Sequence, residues 1–432
     1  MLTVVSLFCM GCPTPGTESM DVRDVNDAAV AQDIKNRILW DSGAIIGKYQ
    51  LTDPGNQLQP NPDYPSGKIV VIRAATTDWL RNTAATTGYI TEIFFGSSDP
   101  RKPPARSVAG YYAENSYGQF KPTSGGVPAW ITLGAPLSNF GDIESNPFFT
   151  REALRIANVD WSALDTDGDD AISRAEAQIV LLIPNGTYTT GYASVRNIIL
   201  GGSATPDGVF DFGTRPIVFF SLMARGAVDS TTNPIRYHSS VLHEMNHAFF
   251  NFPDRYDANS GNGQYDIMVL DRNWMHMTMH DKIKIGWIQP KILNAHLGKV
   301  LRFPSSENRK AALILVKPFN DDPGDGPFEY WVVENRNRAQ SAGNYDADFP
   351  EDGLAVWYVA EGIYNDGHDD VRLVDADLPD QDPDLYNNPT LGALFTMDAA
   401  DPKRLLIDSN GEWSLLWFQN VSNASPTMTA EF

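Results

Sequence analysis

The chain has 432 residues, of which 42% are hydrophobic and 11% aromatic, enough to bury a large core and too apolar for a disordered chain. Acidic residues outnumber basic ones 54 to 33, giving a formal charge of −21 that repels phosphate backbones and anionic lipid, so nucleic acid is not an expected partner. No apolar run approaches the roughly 20 residues of a membrane-spanning helix, and the acidic balance suits a soluble protein outside the cell.

The two cysteines of the chain, Cys9 and Cys12, sit in an apolar start, Met1–Cys12, followed by Pro13, Pro15 and Gly16. The fold is therefore expected to have no internal disulfide. The start reads as the tail of an export signal, and its Gly11–Cys12 junction resembles a bacterial lipoprotein cleavage site, with Cys12 as the lipid-anchor residue. The stretch is short and lacks a basic segment, so the true start is expected upstream. A Cys-x-x-Cys metal or redox site is the rival reading, but no second pair accompanies it. Residues 13 to about 35 are polar and acidic and read as a flexible tether, which makes 1–35 an export-signal remnant plus linker.

The globular pattern begins at Ile38, Leu39 and Trp40. Ile69–Ile72, Ile179–Ile183 and Ile217–Phe220 are short continuous apolar runs expected of buried strands, the second stopped by Pro184. Ile90–Phe95 fits a helix or a strand equally well. Strands alternating with helix-length segments predict an α/β core over 36–300. Beyond Gly298 the texture changes. Val300–Phe303, Ala312–Val316, Tyr330–Glu334, Leu354–Val359, Val371–Val374, Leu415–Gln419 and Thr427–Ala430 are strand candidates separated by turns, so 301–432 is expected to be β-rich and sandwich-like.

The chemistry concentrates in Val241–Phe250, which contains His243-Glu244-Met-Asn-His247. Histidines four apart on a helix lie one turn above each other, so both imidazoles can reach one metal ion. Glu244, one position after the first, points beside the metal, where it can take a proton from water. Ser239 or Ser240 is the expected cap, and Leu242, Met245 and Phe249 form the face to bury. A catalytic zinc needs a third protein ligand. Asn251 can end the helix, after which the chain can turn back and present Asp254, with Asp257 as the alternative. Met268 reads either as a floor beneath the metal or as core filler.

Asp165–Glu176 is a second candidate site. A twelve-residue loop with oxygens at positions 1, 3, 5, 7 and 12 suits calcium, and Asp165, Asp167, Asp169, the carbonyl of Ala171 and Glu176 supply them. Position six, usually glycine, is Asp170. The aspartates between Asp375 and Asp384 read as a solvated acidic loop.

Several ordered segments together resemble the immune-inhibitor-A-like secreted bacterial zinc metalloproteases. They are Val108–Phe120, Val159–Asp169, His243–Met268, the Lys282-x-x-x-Gly286-Trp287 run, Val333–Arg336, Gly353–Trp357 and Val371–Asp377, covering roughly 68–430. The resemblance implies a zincin-like catalytic domain, protein or peptide substrates, and catalytic zinc. The family pattern is His-Glu-x-x-His-x-x-Gly-x-x-Asp with proline before the aspartate. Here Pro253-Asp254 is present, but one residue is inserted and Asn251 stands for the glycine. An extra helical residue rotates the exit direction by about 100°, which makes the third ligand less secure than the two histidines. Zinc would polarise the scissile carbonyl, Glu244 would act as general base, and Tyr256, Tyr265, His276 and His280 are the downstream candidates for stabilising the oxyanion. Two other readings stand beside this one: a non-catalytic calcium-dependent surface module on a protease scaffold, and a zinc hydrolase of other amides or esters.

Overall fold

The computed structural model describes residues 17–19, 49–51, 58–60, 64–96, 107–140, 148–183, 192–199, 216–223, 238–255, 262–293, 300–316, 329–360, 370–376, 393–396, 403–407 and 413–432, apart from 66, 79, 82, 84, 169–171, 173, 174, 251, 263, 270–274, 308, 309, 311, 342–344 and 347. Cys9, Cys12 and the Ile38–Trp40 start lie outside them. So do Asp169, Asp170, Ala171, Asn251, Tyr256 and Asp257, and all of the Asp375–Asp384 stretch beyond Ala376. Among the described residues, no helix is long and apolar enough to cross a membrane.

The first half is mixed α/β. After β1 (Thr17–Ser19) and the small antiparallel pair β2 (Tyr49–Leu51) and β3 (Leu58–Pro60) come β4 (Lys68–Ala75), α1 (Thr87–Phe95) and α2 (Val108–Asn115). Then follow β5 (Thr123–Gly126), β6 (Ile131–Thr132), α3 (Phe148–Ile156), β7 (Gln178–Ile183), β8 (Tyr192–Ile199), β9 (Pro216–Met223), α4 (His238–Phe250) and α5 (Met279–Lys284). The sheet order is β5-β4-β7-β9-β8, with β6 also on β4. All pairs are parallel except β8 with β9.

Both faces of β4 and β7 are covered, which is why each reads as an unbroken apolar run. Ile69, Val71, Val180 and Leu182 face a cluster shared with α1, α2 and α4. Val70, Ile72, Ile179 and Leu181 face the opposite way, against Phe149, Ala153 and Leu154 of α3. Arg73 is the exception within β4, buried with its guanidinium donating to the Ala85 carbonyl and to Thr87 Oγ1, at 2.5 and 2.6 Å. Ile90–Phe95, ambiguous in sequence, is helical. The Thr86 side chain caps it by accepting from Tyr89 N, and Ile90, Ile93 and Phe94 share its buried face.

Among the described residues, the second half forms two five-stranded sheets. One joins β10 (Lys291–Leu293), β12 (Leu313–Val316), β13 (Glu329–Arg336), β14 (Gly353–Ala360) and β15 (Asp370–Leu373). The other joins β1, β11 (Val300–Pro304), β18 (Thr427–Glu431), β17 (Trp413–Gln419) and β16 (Lys403–Ile407). The strand period of two sorts each side chain to one face. Leu313, Leu315, Trp331, Val333, Val356 and Tyr358 meet Leu301, Phe303, Met428 and Ala430 of the second sheet. Ile314, Val332, Trp357, Val359, Val371 and Leu373 face the other way and join the core cluster of the helices. The first sheet is thus buried on both faces, and β13 and β14 are buried along their whole length.

The segment expected to be a tether departs from that reading at one point. Thr17–Ser19 forms β1 and pairs in parallel with Val300–Arg302 of β11, because the edge of β11 away from β18 offers it a backbone ladder.

Candidate metal centre

Helix α4 carries the first two candidate ligands. It starts at His238, so Ser239 and Ser240 lie in its first turn rather than before it. Leu242, Met245 and Phe249 are fully buried, as their helical spacing predicts, together with Ala248 and Phe250. The helix lies against β8 and β9. The spacing of four residues puts His243 and His247 on the same side of the helix.

Three ligand atoms converge there. His243 Nε2 lies 3.0 Å from Asp254 Oδ1, His247 Nε2 lies 3.1 Å from the same oxygen, and the two Nε2 atoms are 3.1 Å apart. The far side of each ring is held by backbone. His243 Nδ1 donates to the Ile267 carbonyl at 2.7 Å, and His247 Nδ1 donates to the Phe252 carbonyl. A proton fixed on Nδ1 leaves the Nε2 lone pair of a neutral ring turned toward Asp254, the arrangement that a cation requires. The donor set of two imidazoles and a carboxylate fits a divalent metal ion.

The local field also favours positive charge. Burial alone would lower the His243 pKa, but the Asp254 hydrogen bond, the Glu244 charge, the Ile267 carbonyl and the Asp254 charge outweigh it and raise it to about 9. Glu244 is only 6% exposed, beside this ring. Its carboxylate is close enough to act on the field at the site while lying outside the ligand set.

The inserted residue does not redirect the chain away from the histidines. Helix α4 ends at Phe250, and residues 252–255 are irregular. Phe252 turns its carbonyl back to His247, and Arg255 N donates to the Met268 carbonyl at 3.0 Å. Asp254 is thereby brought to both rings, with its side chain 41% exposed.

Several supporting residues were not singled out from the sequence. Asn246 is buried between Tyr112 Oη, which donates to its Oδ1 at 3.0 Å, and Met268 Sδ, which accepts from its Nδ2 at 3.8 Å. Arg255 is buried against Asp266 and Asp281. Their sequence neighbours give no signal: Arg255 lies between Asp254 and Asp257, and Asp281 between His280 and Lys282. Composition cannot tell such a charge from a surface one until the partners are known.

Three of the oxyanion candidates are engaged elsewhere. Tyr265 Oη donates to Glu351 Oε1 at 2.6 Å, His276 Nε2 pairs with Glu114 at 2.7 Å, and His280 Nδ1 lies 3.3 Å from Tyr330 Oη.

A second cluster gathers Asp165, Asp167 and Glu176, whose carboxylate oxygens lie within 4.8 Å of one another. Gly168 N donates to Asp165 Oδ1 at 2.8 Å, and Gly168 adopts φ +76°, open to glycine at no steric cost. Glu176 Oε1 accepts from Thr166 N and Thr166 Oγ1 at 2.5 and 3.1 Å, closing position twelve onto the loop's start. Buried Ile172 fastens the loop to the core beside α3.

No known family model matches the chain, and no curated protein matches it. The motif and its geometry therefore carry the assignment at the level of a zincin-like metal-binding arrangement in a mixed α/β region followed by β-rich sheets.

Proposed function

We propose that the chain is a zinc-dependent endopeptidase of the immune-inhibitor-A-like type, with 36–300 as its catalytic domain and 301–432 as its β-rich region. The observation that carries this reading is the convergence of His243 Nε2, His247 Nε2 and Asp254 Oδ1 beside Glu244. His243, His247 and Asp254 would hold the zinc, which would supply the Lewis acidity to polarise the scissile carbonyl and acidify water. Glu244 takes the proton of the attacking water and passes it to the leaving amine. The carbonyls of Ile267 and Phe252 keep both imidazoles in the ligating tautomer. Secretion, with a lipid anchor at Cys12, is proposed from the apolar start alone.

Purified protein should carry about one tightly held zinc per chain, and casein hydrolysis should stop when a chelator removes it. The decisive measurement is metal content after His243→Ala plus His247→Ala. Zinc that stays at the same stoichiometry would place the metal elsewhere and end the assignment.

We also propose that Asp165, Asp167, Asp169, the Ala171 carbonyl and Glu176 hold a structural calcium ion. Calcium bound only to the folded state stabilises it by about 2.7 kcal/mol at a hundredfold excess over Kd. With zinc held constant, calcium removal should lower the melting temperature. In Asp165→Ala plus Asp167→Ala that dependence should vanish, and its persistence would move the ion to another site.

A further inference from the structure

The three ligand atoms come from two elements, and a second layer of charge joins them. Arg255 follows Asp254 and is buried, with Nη1 donating to Asp266 Oδ2 at 2.9 Å and to Asp281 Oδ2 at 3.1 Å, and Nη2 to Asp281 Oδ1 at 2.5 Å. Asp266 and Asp281 are fully buried. A buried ion triad is a weak source of stability, because desolvation offsets most of the attraction and apolar replacements often fold as well. What such a triad supplies is direction, since a guanidinium gripped by two carboxylates has little freedom.

The same residues touch both sides of the metal centre. Asp266 Oδ1 accepts from Met268 N at 2.9 Å, closing a short turn around Ile267. The carbonyl of Ile267 is the one that orients His243. Arg255 N is itself tied to the Met268 carbonyl at 3.0 Å. Asn262 then links this turn to β15: its Nδ2 donates to Asp266 Oδ2 and to the Val371 carbonyl, each at 3.0 Å, and its Oδ1 accepts from Leu373 N at 2.8 Å.

We infer that Arg255 is a positioning residue that sets Asp254 and the Ile267 turn against each other, making metal affinity depend on β15 through Asp266 and Asn262. The inference rests on the metal-site reading above. Arg255 touches no reacting atom and acts through the ligands alone.

The test compares the full-length protein with Arg255→Met/Asp266→Asn/Asp281→Asn, which removes all three charges and leaves none unpaired. Three quantities are read: the melting temperature without metal, zinc affinity by competition with a chromophoric chelator, and the visible spectrum of the cobalt-substituted protein. A positioning role predicts a melting temperature within a few degrees of the unsubstituted protein, a zinc affinity at least about tenfold weaker, and an altered cobalt spectrum. Arg255→Lys, which keeps the charge but loses the two-pronged grip, should fall between. Unchanged zinc affinity and cobalt spectrum in the triple variant overturn the inference. Should that variant fail to fold, Asn262→Ala carries the same test, with a several-fold loss of zinc affinity expected and no loss overturning it. If the unsubstituted protein binds no zinc at His243 and His247, the metal-site reading itself falls, and the inference with it.

Discussion

Glu244→Gln should reduce peptide hydrolysis by about 10²–10⁴-fold, the usual contribution of a general base, while zinc content stays at the unsubstituted level. The substitution keeps the size and shape of the side chain and removes its negative charge and its ability to take a proton. Glu244 is buried beside His243 but stands outside the converging ligand atoms. Replacing a buried carboxylate by a neutral amide also lowers its desolvation cost, so the fold should tolerate the change. Turnover and metal analysis must be read on the same preparation. Full turnover would move the base to another residue, and lost zinc would make Glu244 a structural support instead. A non-catalytic surface module predicts no hydrolysis by either form, which separates that reading as well.

Much of the architecture was legible because burial and periodicity leave marks in sequence. The continuous runs in β4 and β7 follow from a parallel arrangement, in which neither face of a strand need be polar. The strands after Gly298 were visible as short apolar segments between turns. Their arrangement was not. Val332 and Val333 are both valines, yet one faces the helices and the other the second sheet. Strand register alone makes that choice, and it becomes apparent only once partners are assigned. Thr17–Ser19 is the converse case: three polar residues with no strand signature pair through backbone to an edge supplied by residues nearly 300 positions away.

The centre divides along the same line. His243, Glu244 and His247 belong to one helix, so their spacing in sequence is their spacing in space. Asp254 depends on the irregular segment after α4, where no periodic rule converts sequence distance into direction. Helix α4 ends at Phe250, and the irregular backbone of 252–255 brings Asp254 to both imidazoles. Arg255, Asp266 and Asp281 depend on three separate segments meeting, and nothing local marks any of them as buried.

The third ligand is where substitution should weaken metal binding most selectively. Asp254 Oδ1 stands about equally far from both imidazole Nε2 atoms, at 3.0 and 3.1 Å, a position that a shared cation can satisfy. Removing that oxygen leaves two neutral imidazoles to hold a divalent ion and takes away its nearest negative charge. Asp254→Ala should therefore weaken zinc binding by at least the roughly 10–100-fold that the loss of an outer-shell partner costs. Activity should return only at correspondingly higher added zinc. The side chain is 41% exposed, so its truncation leaves no buried cavity and the metal-free protein should still fold. Asp257→Ala, three residues further along the sequence, is the control and should need little added zinc. Zinc titrations of hydrolysis on both variants decide the matter: the reverse order transfers the ligand role to Asp257, and two unchanged titrations place the third ligand outside residues 254–257.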